Sequence, residues 1–261
     1  MRDLLNDLSE GLSHPDPIRR AQIQMKKPLP KRFYATVTTE KGEGGHGVRL
    51  DGKALKTPAR NPLEVPTEAL ARLIAREWDA QKDMIDPNTM PVTKLVNTAL
   101  DGIAADPQPV ADDIVKYAGN DMLCYRAAEP AMLVERQHER WDPLLDWAAD
   151  SLGARLILAE GVMYQEQPQE AIDAVAAAVA RYHDPIALAA LHTITTISGS
   201  AILTLAYAAG RIDLDTLWSL AHLEEDWTVE QWGEDEEAVA RRARRFEEAS
   251  AAADTLAALN S

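Results

Sequence analysis

The chain has a single cysteine, Cys124, in 261 residues. That excludes an internal disulfide and any zinc site built from several thiolates of one chain. Cys124 sits among apolar neighbours in Met122-Leu123-Cys124-Tyr125-Arg126, so it reads as a buried, inert thiol. Positive charge is also scarce: 27 Lys and Arg face 42 Asp and Glu, a net charge of −15. Such a field repels phosphate backbones and anionic bilayers, and so argues against nucleic-acid and membrane partners. The longest apolar stretch, near residues 197–209, is broken by Ser, Thr and Gly and falls short of a membrane span. The first sixteen residues lack the apolar core of a signal sequence and hold too many acids for a transit peptide. A cytoplasmic protein of bacterial style is expected.

Metal and nucleophile motifs are missing as well. The histidines (His14, His46, His138, His183, His192 and His222) show neither HExxH nor His-x-His spacing. No Gly-x-Ser-x-Gly elbow occurs, since Ser198-Gly199-Ser200 lies inside a helical pattern. The glycine-rich Gly42–Gly47 lacks the Gly-Lys-Ser/Thr ending and the following helix of a phosphate cradle, and reads as a hairpin loop. Adjacent acids such as Glu224/Glu225, Asp112/Asp113 and Glu236/Glu237 point about 100° apart on a helix and usually form a solvated edge.

What is present is an ordinary globular balance, 46% hydrophobic and 26% charged, in a chain long enough for one large or two smaller domains. Residues 2–12 suit a short amphipathic helix on Leu4, Leu5, Leu8 and Leu12, and the proline-rich residues 13–30 suit an extended arm. From residue 31 the texture changes. Residues 33–39 and 63–65 are strand-like. Val48-Arg49-Leu50, Asp51-Gly52 and Lys53–Lys56 form a strong hairpin signal with a type I′ turn. Thr67 is a good cap for a helix carrying Leu70, Leu73, Ile74 and Trp78 on one face and ending near Gln81. Residues 31–88 therefore predict a small α+β domain.

Residues 89–261 predict mostly helices. One covers Val92–Ile103, with Asn97 and Asp101 flanking its apolar side. Others run from Pro109 to Tyr117, Pro143 to Leu152, Pro168 to Tyr182, Pro185 to Ala209 and Asp235 to Leu259. Asp142-Pro143 and Asp184-Pro185 supply starts; Gly153 and Gly210 supply stops. The small-residue Thr195–Ala201 segment suits the central helix of a bundle. The last helix offers Glu237/Arg241 and Arg244/Glu248 as pairs one turn apart.

The stretch Leu217–Gly233, LWSLAHLEEDWTVEQWG, is the most unusual. Leu217, Leu220, Leu223 and Trp227 recur at helical spacing, and on one continuous helix Glu224 falls about 15° from the centre of their stripe. A carboxylate there costs several kcal/mol unless it is paired, so either the fold supplies a partner or the face is a docking surface. Six tryptophans against two phenylalanines sharpen the choice: Trp227 and Trp232 beside acids suit a binding surface, or they staple one helix to the next. A small-molecule enzyme using acids around Glu224 with His192 or His183 is the competing class.

KRFY, then VRLDGKALKTPARNPLEVPTEALARLIAREWDAQKDMIDPNTMPVTKLVNTALD, DMLCYRA, WDPLLDWA, LHTITTISGSAILTLAYAAGRI and LEEDWTVEQWG together resemble the family that assembles the catalytic head of F-type ATP synthase. This is the chaperone acting on the α subunit, or assembly factor 2. The resemblance runs from Lys31 to Gly233. It implies a small α+β domain followed by an orthogonal helical bundle, with no enzymatic activity and no cofactor, metal or small-molecule substrate. The implied partner is the free α subunit, whose β-facing surface is shielded until the β subunit arrives. The family's sensitive glutamate corresponds to Glu224, with Glu225 beside it, and Trp227 and Trp232 complete the expected partner-binding set. Its sensitive tryptophan corresponds to Trp78 in the intact Glu77-Trp78-Asp79-Ala80-Gln81. Asp79, Asn97, Asp101, Asp121 and Arg126 are further positions expected to be functionally or structurally sensitive.

Overall fold

The computed structural model describes residues 29–161 and 164–261. The expected N-terminal helix and most of the arm lie outside them. The fold is α+β, as the sequence predicts, with ten α-helices and a small antiparallel sheet among the described residues. The described residues form two compact units, one of 29–107 with Asp184–Ala189 and Asp254–Ser261, the other of 108–161 and 164–183 with Ala190–Ala253.

In the first unit, β1 (Val37–Lys41) and β2 (His46–Leu50) pair antiparallel in the register Val37↔Leu50 to Lys41↔His46. The expected turn forms: Asp51 and Gly52 both have positive φ, 48° and 78°, and lead into β3 (Lys53–Ala54). The Asp51 carboxylate also accepts from the Ala35 and Thr36 amides at 2.8–3.1 Å. β4 (Glu64–Val65) pairs with the far end of β2. Gly45 closes the glycine-rich loop at φ 136°, where a Cβ would sit 2.4 Å from the Val65 carbonyl oxygen.

Helix α1 (Glu68–Asp79) is capped by Thr67, whose hydroxyl accepts from the Leu70 amide, and it lays Leu70, Ala71 and Ile74 on the sheet. After a 3₁₀ turn at Pro87–Thr89, α2 (Pro91–Thr98) continues into a π-helical turn at Ala99–Ile103. The division drawn after residue 88 falls inside this unit, and two carboxylates account for that. Glu77 of α1 accepts from the Val92 amide, the Thr93 amide and the Thr93 hydroxyl at 2.6–2.7 Å, satisfying the open N-terminus of α2. Asp101 accepts from the Thr57 hydroxyl, the Ala59 amide and the Asn61 side chain at 2.6–2.9 Å, holding the loop beyond the hairpin.

In the second unit, α3 (Gln108–Gly119) leads to a 3₁₀ turn at Met122–Cys124 and β5 (Tyr125–Arg126). β5 pairs in parallel with β6 (Ala159–Glu160), a two-stranded element the sequence reading missed. Helix α4 runs from Ala131 to Trp147 and passes through Pro143. Asp142 is therefore not the start of a new helix. Its carboxylate is engaged by Arg126 at 2.8 Å and His138 at 2.9 Å, and Trp141 and Leu144 are buried on either side. A π-helical turn at Ala148–Leu152 follows, then α5 (Gln169–Val179).

The single helix expected over 185–209 is two. α6 (Pro185–Ser198) ends at Gly199, φ 74°, and Ser200 caps α7 (Ala201–Ala208), its hydroxyl accepting from the Leu203 amide at 2.9 Å. The fully buried Asp121 completes this break by accepting from the amides of Ile202 at 3.0 Å and Leu123 at 3.1 Å. α7 is buried at every residue from Ala201 to Ala206 and is packed by α3, α4, α5 and α8 (Leu214–Ala221). α9 (Leu223–Trp232) and α10 (Glu236–Leu259) close the chain.

Candidate protein-binding surface

The sequence treats Leu217–Gly233 as one helix, and the structure breaks it at His222, φ −114° and ψ 18°. His222 is buried, stacked 3.9 Å from the Trp218 ring, with its Nδ1 2.9 Å from the Trp218 carbonyl oxygen. Burial pulls its pKa below the usual histidine value. The break ends the helical phase on which the stripe was drawn. Leu217, Leu220 and Leu223 are core residues, but Glu224 is exposed and lies in the first turn of α9. The expectation of a carboxylate at the centre of an apolar face is thereby corrected.

Three acids, Glu224, Glu225 and Asp226, occupy that first turn, where the positive end of the helix dipole favours them. From Leu223 to Glu237 the chain has eight acids and no Lys or Arg. Asp226 is paired with Arg242 at 2.5 Å. Glu230 forms a two-pronged bond to Arg136 of α4 at 2.8 and 2.9 Å. That bond holds the Glu230 carboxyl below and the Arg136 guanidinium above their ordinary values. The same guanidinium lies 4.8 Å over the half-buried Trp227 ring. Trp232, at the end of the helix, is 86% exposed.

Helix α4 is the support. Trp141, fully buried, donates its Nε1–H to the Leu220 carbonyl at 3.0 Å, and Arg140 donates to the Ser219 hydroxyl at 3.0 Å. Gln137, also fully buried, donates from Nε2 to Glu224 Oε1 at 2.6 Å. Residues 141, 137 and 136 thus meet 220, 224 and 230 in an antiparallel order.

The other expected positions are scattered. Trp78 is half-buried, 5.7 Å from the Tyr34 ring, and its carbonyl accepts from the Tyr34 hydroxyl at 2.6 Å. Its indole N–H is buried and has no hydrogen-bond partner among the described residues. Asp79 is exposed, and Arg32 bonds both its carbonyl at 3.0 Å and its carboxylate at 3.5 Å. Asn97 is half-buried, its Oδ1 without a hydrogen-bond partner among the described residues, and Asp101 belongs to the loop clamp already described.

Asp121 and Arg126 are both buried in the second unit. Arg126 donates Nε–H to the Leu123 carbonyl at 2.8 Å and lies 5.3 Å over the Trp141 ring. Cys124 is fully buried, and desolvation pushes its thiol up to about 12. His192, offered to the competing enzyme reading, has its Nε2 2.9 Å from Asp113.

The sequence reading missed Gln137 and Arg136. A signal for Gln137 was available: Leu133, Gln137, Trp141 and Leu144 recur at helical spacing, placing an amide on a core-facing stripe.

The sequence model of the ATP12 chaperone protein family matches residues 31–149. The crystal structure of Atp12 from Paracoccus denitrificans is 43% identical and superposes with a TM-score of 0.82 over 88% of this chain and 98% of that one. An Agrobacterium tumefaciens protein taken for a chaperone is 60% identical, with a TM-score of 0.87 over 99% of this chain and 97% of that one. The mitochondrial atp12 protein of Schizosaccharomyces pombe is 25% identical over 231 residues, 84% of this chain and 79% of that protein.

Proposed function

The chain belongs to the ATP12 chaperone family, whose members serve ATP synthase assembly, and from that premise we propose that its client is the free α subunit. It shields the β-facing surface of α from aggregation and releases α when the β subunit arrives. A subunit awaiting its partner exposes apolar surface that otherwise self-associates. The observation that carries the reading is α9, where an exposed glutamate and an 86% exposed tryptophan share a stretch that holds eight acids and no base.

Trp232 supplies rigid apolar contact area, while Glu224 and Glu225 meet basic groups on the client. An exposed ion pair contributes only about 0.2–1 kcal/mol and weakens with salt. Contacts of that size orient the client without locking it in place, which suits a partner that must be surrendered to β. No enzymatic step, cofactor or metal enters this reading. It places the protein in the bacterial cytoplasm. No helix among the described residues is long and apolar enough to cross a membrane.

Co-expression with the free α subunit tests the proposal. The native chain keeps α soluble, and Glu224→Gln lowers the soluble fraction while its own melting temperature stays within about 2 °C of native. Joint loss of rescue and of several degrees in melting temperature would instead mark Glu224 as a structural carboxylate.

A further inference from the structure

Gln137 is a fully buried polar side chain that touches the proposed client surface, and both ends of its amide are fixed. Its Oε1 accepts from the Ala127 amide at 2.9 Å, and its Nε2 donates to Glu224 Oε1 at 2.6 Å. A backbone N–H can only donate and an ionised carboxylate can only accept, so the network permits one orientation of the amide. Ala127 directly follows β5, so the strand sets the amide and the amide sets the carboxylate.

Glu224 is exposed, and Gln137 takes up one lone pair of one of its oxygens. A carboxylate accepts about four hydrogen bonds, so most of its capacity faces outward. Elsewhere on the helix the acids Asp226 and Glu230 are closed by arginines. At Glu224 the partner is neutral, and the negative charge is held in place without being cancelled.

We propose that Gln137 is a positioning residue, anchored by the Ala127 amide, that aims the Glu224 carboxylate at a cationic side chain of the client. This rests on the client reading given above. Ordering the carboxylate before the client arrives removes part of the rotamer entropy that binding would otherwise cost. Glu224→Gln keeps the internal bond, because the new amide still offers its oxygen to Gln137, and turns an NH₂ group outward instead of a charge.

The test measures melting temperature and the Kd for purified α subunit across five variants: Gln137→Met, Glu224→Gln, their combination, Gln137→Glu, and the exchange Gln137→Glu/Glu224→Gln. Gln137→Met is expected to weaken α binding about ten-fold in the native background and not measurably further in the Glu224→Gln background. Gln137→Glu sets two carboxylates against each other and lowers the melting temperature. Adding Glu224→Gln to it restores a donor facing an acceptor and recovers part of that loss. Binding stays weak in the exchanged protein, because the charge now sits on the buried side of the pair.

A Gln137→Met effect of equal size in both backgrounds overturns the positioning role, as does native-like binding by the exchanged pair. Weak binding by Glu224→Gln beside native binding by Gln137→Met overturns this inference alone. Native binding by Glu224→Gln overturns this inference and the contact assigned to Glu224 while leaving α as the client, and no measurable binding of α by the native chain overturns the client reading itself.

Discussion

Glu77, in the last turn of α1, and Glu224, in the first turn of α9, each place a carboxylate at the N-terminus of a helix, and the fold uses them in opposite ways. Glu77 reaches from α1 to the open end of α2 and has three donors within 2.7 Å. Its burial outweighs those bonds and raises its pKa above the ordinary glutamate value. Glu224 sits within the first turn of α9, exposed, with one neutral donor supplied from behind. The first carboxylate is consumed in joining two helices, and the second retains charge and acceptor capacity toward solvent. These two acids, each followed within three residues by a tryptophan and an aspartate, in Glu77-Trp78-Asp79 and Glu224-Glu225-Asp226-Trp227, therefore carry different kinds of information. What separates them is the number and origin of the donors around each carboxylate.

The largest expected effect lies at the residue next to Glu77. Trp78→Arg removes a ring packed on Tyr34 and puts a cation in its place, which should cost about 3–5 kcal/mol. Denaturant unfolding of purified protein checks it, and a fully stable variant would show that the packing of Trp78 on Tyr34 contributes nothing to stability.

Glu77→Gln comes next. It sets an NH₂ group against donors from the α2 terminus and should cost about 1–3 kcal/mol, with no change in rescue per folded molecule. Equal melting temperatures for Glu77→Gln and Glu224→Gln would erase the contrast between the two glutamates.

A third carboxylate sharpens it through pH. Burial raises Asp121 to about 6 from an unfolded value of 3.8. The folded state therefore holds a proton that the unfolded state has released. Its stabilising contribution is complete below about pH 4 and is lost as pH rises through about 6. Two units correspond to roughly 2–3 kcal/mol. Urea midpoints from pH 4 to 7 should fall less steeply for Asp121→Asn than for the native chain, whatever the absolute stability of the variant. Parallel curves would remove Asp121 as the source. The smallest change in stability belongs to Glu224→Gln, within about 2 °C as stated above.

Much of the first unit was legible in the sequence. Asp51-Gly52 marks its hairpin, Thr67 its helix start, and Leu70 and Ile74 its buried face, because each depends on residues within a few positions of one another. The candidate surface was legible only in part. Its acids and tryptophans stand in plain order, but the helical wheel that put Glu224 near the centre of an apolar stripe failed at His222. No proline or glycine marks that break, and stacking on Trp218 accompanies the changed backbone. Pro143 misled in the opposite direction, because α4 tolerates it between two buried side chains. Gly199 was visible as a small residue, but its left-handed turn is completed by Asp121, distant in sequence.

By itself the sequence determined the acidic balance, the lack of thiol and metal chemistry motifs, the α+β class and the family. Those rest on composition, short-range periodicity and ordered motifs. Only the tertiary structure decided which carboxylates are used up and which remain available. A carboxylate's state depends on the donors brought to it by distant segments, as Val92 and Thr93 are brought to Glu77 and Gln137 to Glu224. Periodicity along one helix cannot count donors that arrive from another.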